Sequence, residues 1–377
     1  MRTALPNMSK PFRIFATCNI GDEAFDVLRR RGYELEVYPG PEAPPKQLIV
    51  EKVKQGIDGL ITTLRDSIDA EIFEAGRGHL KVVAQLAVGF DNINRADANR
   101  CKIPFTNTAD VLTDATAEFA FFIMGALARK LWPSELEVRE KRWGAWHPFL
   151  PFLGDEVTGK IIAIIGTGRI GQAMINKCTG FNMNILCYDP GYQDQKFVKQ
   201  IQELMDFRHQ RGLQKNKTEI KYISFEDALA QADYVSVHVP LIRPGEGTPP
   251  TLHLFNEQTF RMMKPTAYFV NTSRGPVVDE SALVRALREN WIAGAALDVY
   301  EKEPLPADSP LRDPAIADRC RLFHHFASGG RITRLSSDPD KGMAGRCVQG
   351  LIDVLERNYG GDISKMPYVV NKEAFSN

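Results

Sequence analysis

The chain has 377 residues, enough for two ordinary domains, with 44% hydrophobic and 25% charged residues, the balance of a soluble globular protein. Lys+Arg and Asp+Glu number 47 each, so the formal net charge is zero, which argues against a nucleic-acid binder. The longest apolar run, Phe119 to Ala128, is about ten residues, which suits a buried helix and falls short of a membrane span.

Short apolar, β-rich runs alternate with helical patterns from the start. Strands are predicted at Phe12–Cys18, Glu34–Tyr38, Asp58–Thr62, Val82–Ala87 and Pro104–Asn107, with helices such as Glu23–Arg31 and Gln47–Lys54 between them. This βαβα rhythm implies a parallel sheet covered by helices on both faces. A long helix near Asp114–Leu131 follows, then an irregular stretch rich in Trp and Pro from Trp132 to Gly159. The rhythm then restarts with strands at Ile161–Ile165, Asn184–Tyr188, Asp233–Val239, Ala267–Asn271, Gly294–Val299 and Arg321–His325, and a last helix at Asp338–Glu356. The fold class is therefore α/β, with two doubly wound parallel-sheet domains. Two segments, Gly191 to about Lys221 and Arg243–Pro250, read as surface insertions, the first with a surface helix around Ile201, Leu204 and Met205.

Six cysteines lie at 18, 101, 178, 187, 320 and 347, with no C-x-x-C pair and no Cys/His metal spacing. Neither a disulfide framework nor a metal site is expected. Met1–Lys10 carries no apolar signal core, so a cytoplasmic, reducing setting is expected.

Gly166-Thr167-Gly168-Arg169-Ile170-Gly171 follows one apolar strand and opens a helix. The first glycine permits the turn, the second lets backbone approach a pyrophosphate, and the third brings helix and strand together. The helix N-terminus adds N–H donors and a favourable dipole. The next strand ends in Asp189, 18 residues beyond Gly171, where a carboxylate accepts from ribose hydroxyls. No Arg or Lys follows directly, only Pro190, Gly191, Tyr192 and Gln193, the first lysine being Lys196. A 2′-phosphate beside Asp189 would set like charges together, so NADH is expected over NADPH.

Three later segments place polar residues at C-terminal strand ends, where open α/β sheets bind ligands. They are Asn271-Thr272-Ser273-Arg274-Gly275, Leu297-Asp298 through Glu303-Pro304, and His324-His325-Phe326-Ala327-Ser328. Reducing a 2-oxo acid needs an anchor for its carboxylate and an acid for its carbonyl oxygen. Arg274 suits the anchor. His325 suits the acid, with Glu303 to hold the imidazole and favour its charged form. His238 and Pro240 end another strand beside the cofactor crevice, and His238 reads as a cofactor neighbour rather than an acid.

Taken with the glycine motif, these segments resemble the D-isomer-specific 2-hydroxyacid dehydrogenases. The likeness continues upstream through Ala87-Val88-Gly89-Phe90-Asp91, Asn107-Thr108 and Thr116-Ala117-Glu118. The resemblance implies a Rossmann-type NAD domain, residues 115–325, inserted into a flavodoxin-like substrate domain of 1–114 and 326–377. It implies the same roles for Arg274, Glu303 and His325, substrate contacts from the Val88 and Gly89 amides, Thr116 and Asp298 against the nicotinamide, and Thr272 among the cofactor-binding residues. His324 stands where the family usually has proline. Arg142-Trp143-Gly144-Ala145-Trp146 is similar to the glyoxylate and hydroxypyruvate reductase branch, in which this arm joins a homodimer and Trp146 would reach the partner's substrate. D-lactate, 2-ketogluconate or phosphoglycerate dehydrogenase activity stays open on the same scaffold, as does an NAD-sensing corepressor-like role.

Overall fold

The computed structural model describes residues 10–149, 152–247 and 249–376. Residues 1–9 of the N-terminal segment, 150–151 of the Trp/Pro-rich stretch, 248 of the Pro/Gly loop and 377 lie outside the described residues. The chain divides into two units, one running up to Leu112 and resuming at Gly329, the other Thr113–Ser328.

The first unit holds β1 (Arg13–Ala16), β2 (Glu34–Val37), β3 (Gly59–Thr62), β4 (Val82–Gln85) and β5 (Phe105–Thr106). They pair in parallel in the order β2-β1-β3-β4-β5, the flavodoxin-like winding. Side chains alternate between two cores, as the period of two requires. Ile14, Ile61 and Val82 face the helices Asp22–Arg30 and Met343–Leu355, whereas Phe15, Leu60 and Val83 face Lys46–Lys54 and Ala70–Gly76. The helix Met343–Leu355 thus completes a core begun by the chain's first strands.

The second unit holds β6 (Ile161–Ile165), β7 (Asn184–Tyr188), β8 (Ile220–Tyr222), β9 (Tyr234–Val237), β10 (Tyr268–Asn271), β11 (Gly294–Leu297) and β12 (Cys320–Leu322). Their order is β12-β11-β10-β9-β6-β7-β8, all parallel, which is the Rossmann winding with a seventh strand. The order reverses between β6 and β9, so their C-terminal ends border a switch-point crevice. The helix Thr113–Ala128 packs Ala120, Met124 and Leu127 against Ile162, Ile164 and Val270, and so belongs to this unit. No helix among the described residues is long and apolar enough to cross a membrane.

Three sequence expectations need correction. Residues 131–139 form a helix, Leu131–Arg139, where an irregular stretch was expected; Pro133 lies in its first turn, where the missing N–H breaks nothing. The final strand stops at Leu322, so 323–327 leave the sheet as a loop. The segment from Gly191 is no mere surface insertion. Asp194 caps the helix Gln195–Gln210 by accepting from the Phe197 N–H at 2.9 Å, and Val198, Ile201 and Met205 enter the core. The chain then returns as the edge strand β8, whose three residues are too few to show a period. The Gln- and Lys-rich outer face hid the inner one.

Met205 is 1% exposed and Leu204, its neighbour, 44%. Met205→Ala should therefore cost about 2–4 kcal/mol in urea unfolding, against about 0.5 or less for Leu204→Ala. Equal, small effects would return this helix to the surface.

Candidate active site

The glycine turn is built by close approach. Gly166 has φ +94, and a Cβ there would stand 2.8 Å from the His238 carbonyl group. A Cβ on Gly171 would fall 2.0 Å from the Gly166 oxygen. On Gly168 it would meet nothing within 4 Å among the described residues, and no side chain caps the helix Arg169–Thr179 that begins there. A helix start with uncapped N–H donors, a backbone without a Cβ and an open approach form a cradle that suits a dinucleotide's pyrophosphate. Arg169 and Ile170 supply its first helical turn.

Asp189, at the end of β7, is held by backbone. Its Oδ2 accepts from the Thr167 N–H at 2.8 Å, and its Oδ1 from those of Gly191 at 2.9 Å and Tyr192 at 3.1 Å. A carboxylate offers about four acceptor positions. Oδ1 is thereby filled, whereas Oδ2 has, beside its amide bond, only a long 3.4 Å contact from the Thr167 hydroxyl and is the oxygen left for a ribose hydroxyl.

His238, beyond β9, contacts Ser236 Oγ through Nε2 at 2.9 Å, and its Nδ1 finds no partner among the described residues. Burial lowers its pKa to about 4, so it is neutral at pH 7. Pro240 is exposed, and its carbonyl accepts from Thr251 Oγ1 at 2.6 Å. The Thr272 hydroxyl after β10 is buried without a partner among the described residues, and Thr116 is buried in its helix.

The expected catalytic residues lie at the C-terminal ends of three neighbouring strands. After β10, Asn271 is fully buried; its Oδ1 accepts from the Ser273 N–H at 3.0 Å and its Nδ2 donates to the Arg274 carbonyl at 2.9 Å. That Asx turn sets the backbone of Arg274, whose guanidinium donates to the Ser273 carbonyl at 2.8 Å. A Cβ on Gly275 would stand 1.8 Å from the Tyr300 carbonyl, so only glycine lets this turn meet the one after β11. In that second turn the Tyr300 N–H donates to Glu303 Oε1 at 3.1 Å, and Glu303 Oε2 meets His325 Nδ1 at 2.8 Å. With the carboxylate accepting from Nδ1–H, the ring orientation and tautomer are set.

Asp298, the residue after β11, fixes the histidine loop. It is fully buried; its Oδ1 accepts from the Phe326 N–H at 2.6 Å and its Oδ2 from the Ala327 N–H at 2.7 Å. Its own carbonyl accepts from the His325 N–H at 2.8 Å. Burial raises the Asp298 pKa, and the two amides oppose that rise. The Tyr300 hydroxyl adds a 2.6 Å bond to the Phe323 carbonyl. His325 itself has φ +55, a left-handed conformation uncommon for a residue with a Cβ. His324 stacks on Phe326, ring centres 5.2 Å apart, and Phe326 packs edge-on against Phe119.

Val88 and Gly89 lie in the first unit, where Asn107 Nδ2 donates to the Val88 carbonyl at 2.8 Å and Gln85 Nε2 to that of Gly89 at 3.3 Å. Trp146 is 75% exposed in a stretch without regular structure. Among the described residues no group of three or more His, Cys, Asp or Glu is arranged to hold a metal. The roles of Asn271 and Tyr300 escaped sequence reasoning, although Asn at a strand end two residues before a Ser is a recognisable turn signal. Tyr222, on the unpredicted strand β8, carried no signal.

Comparison with known proteins gives concordant matches. Residues 121–327 match the NAD binding domain of D-isomer specific 2-hydroxyacid dehydrogenase. The glyoxylate reductase of Korarchaeum cryptofilum is 41% identical over 85% of this chain and 88% of its own. That of Pyrococcus furiosus is 40% identical over 78% of this chain and 80% of its own. The crystal structure of the TT0316 protein from Thermus thermophilus superposes with a TM-score of 0.78 at 34% identity, covering 95% of this chain and all of that one.

The His238 shift has a measurable consequence. Between pH 6.5 and about 4 the unfolded chain binds a proton at this residue that the folded chain refuses. Stability from this group is full above pH 6.5 and falls as pH drops toward 4. In urea unfolding at pH 7.5 and 4.5, His238→Gln should shrink the difference between the two pH values by roughly 2–3 kcal/mol. An unchanged difference would refute the shift.

Proposed function

This chain belongs to the D-isomer specific 2-hydroxyacid dehydrogenase family, and from that premise we propose that it reduces glyoxylate or hydroxypyruvate with NADH. It is an oxidoreductase with an NAD(P)-binding domain. The observation that carries the proposal is the 2.8 Å Glu303–His325 pair on the strand-end loops beside Arg274. The glyoxylate reductases among its relatives support the choice of substrate.

Bound NADH supplies the hydride. Arg274 grips the carboxylate and carbonyl of the 2-oxo acid with paired N–H donors. His325, held through Nδ1 by Glu303, delivers a proton from Nε2 to the carbonyl oxygen as it gains charge. The Val88 and Gly89 amides are assigned to substrate binding from the first unit; the Val88 carbonyl, accepting from Asn107 Nδ2, fixes the peptide plane that carries the Gly89 N–H. The second unit serves as the cofactor domain and the first as the substrate domain. Asp189 Oδ2 accepts from the adenosine ribose and repels a 2′-phosphate, giving a preference for NADH on the order of tenfold or more, for which about 1.4 kcal/mol suffices. Exposed Trp143, Trp146 and Phe149 support a homodimer through the arm, with Trp146 against the partner's substrate.

His325→Ala should lower kcat for glyoxylate reduction by roughly 10²- to 10⁴-fold while NADH binding persists, and Arg274→Ala should raise KM strongly. Initial rates over glyoxylate, hydroxypyruvate, pyruvate and 2-ketogluconate, with NADH and with NADPH, check both variants and both preferences. If His324→Ala is the crippling change and His325→Ala the mild one, the acid is His324.

Trp146→Ala should shift selectivity among the 2-oxo acids more than it shifts NADH affinity. A monomer at micromolar concentration in sedimentation would remove its basis.

A further inference from the structure

Beside the glycine turn stands a group that the chemistry above does not use. Tyr222, on the edge strand β8, directs its hydroxyl to two places at once. It accepts from the Asp194 N–H at 3.0 Å and lies 2.9 Å from Thr167 Oγ1. A phenol has one proton. The Thr167 hydroxyl also reaches Asp189 Oδ2 at 3.4 Å and the Tyr192 carbonyl at 3.5 Å, and when it donates to either of them the phenol proton goes to Thr167.

Thr167 is the second residue of the glycine motif and is 2% exposed; its N–H holds Asp189 Oδ2. Asp194 ends the loop that Asp189 begins and caps the following helix through the Phe197 N–H. The loop 189–194 is therefore pinned at its start by Thr167 and at its end by Tyr222, and Tyr222 and Thr167 are bonded to each other. We infer that the Tyr222 hydroxyl is a positioning residue for cofactor selection, holding the phosphate turn and the ribose loop in one register so that Asp189 Oδ2 keeps its aim.

The inference rests on the assignment of Asp189 to the ribose. Losing the hydroxyl takes the one short bond from the Thr167 hydroxyl, which keeps only contacts of 3.4 and 3.5 Å, and takes the partner of the Asp194 amide, so the loop gains freedom just where a carboxylate must meet a hydroxyl pair. Phenylalanine keeps the ring and loses only the hydroxyl. Positional freedom harms the ligand that depends on a directed hydrogen bond more than one that must avoid a charge. NADH should therefore suffer more than NADPH.

The test is fluorescence titration of the intact protein with NADH and with NADPH, alongside thermal unfolding. Tyr222→Phe should raise the Kd for NADH about three- to tenfold and that for NADPH by a smaller factor, with KM for NADH rising more than kcat falls. Thr167→Val cuts the same bond from the other side, together with the long contacts of that hydroxyl to Asp189 and Tyr192, so the double variant should bind NADH no worse than Thr167→Val alone. Unchanged NADH affinity in Tyr222→Phe overturns the inference whatever the unmodified protein prefers. Equal losses for both cofactors with a lowered Tm, or additive losses in the double variant, also overturn it and leave Tyr222 a structural residue. Equal affinity of the unmodified protein for the two cofactors overturns only the preference for NADH.

Discussion

One buried carboxylate holds the strand-end loops of the second sheet together. Asp298 receives two consecutive loop amides on its two oxygens and a third on its carbonyl, while its own N–H donates to the Asn271 carbonyl at 3.0 Å. The exits of β10, β11 and β12 are thereby stitched through one residue. Burying a charge is costly unless hydrogen bonds replace its water. Here two short amide bonds stand where that water would be. The return is a histidine held with φ +55, a conformation costing on the order of 1–3 kcal/mol that survives only where its surroundings over-determine it. The carboxylate, the Tyr300 hydroxyl and the Glu303 contact supply that determination from three sides.

How much of this was legible depends on which physical signal each part leaves in sequence. The two windings were legible because fully buried parallel strands are continuous apolar runs, and Ile161–Ile165 is one. Gly166, Gly168 and Gly171 were legible because close approach admits only glycine. Arg274, Glu303 and His325 stood out as ionisable groups at strand ends, where the structure places them. β8 was not legible, since an edge strand of three residues with one buried side chain has no pattern to detect. The role of Asp298 was missed for another reason. Its partners are backbone amides 28 and 29 residues away, and backbone has no letter in the sequence.

The substitution of His324 for the usual proline finds its physical account in the same loop. Proline would restrict the backbone before His325 through its ring. Here the His324 ring stacks on Phe326, and the row continues edge-on to Phe119, which also packs against Phe323. Aromatic packing of this kind contributes roughly 0.5–1.5 kcal/mol per pair beyond buried area. A stack spanning residues 324 and 326 restrains the residue between them from both neighbours. Side-chain packing thus replaces ring closure as the restraint on that loop.

The contact at Gly275 bears on how such a protein diversifies. With no room for even a methyl group between this turn and Tyr300, the loops bearing Arg274 and Glu303 behave as a single casting. A mutation there cannot adjust reach by a few tenths of an ångström; it keeps the casting or breaks it. On the assignment proposed above, new substrate preferences would be sampled at positions free of that lock, such as the loop around Leu86–Phe90 or the exposed arm at Trp146. Reaction type and substrate choice would be inherited on separate parts of one chain, the first nearly frozen and the second open to drift.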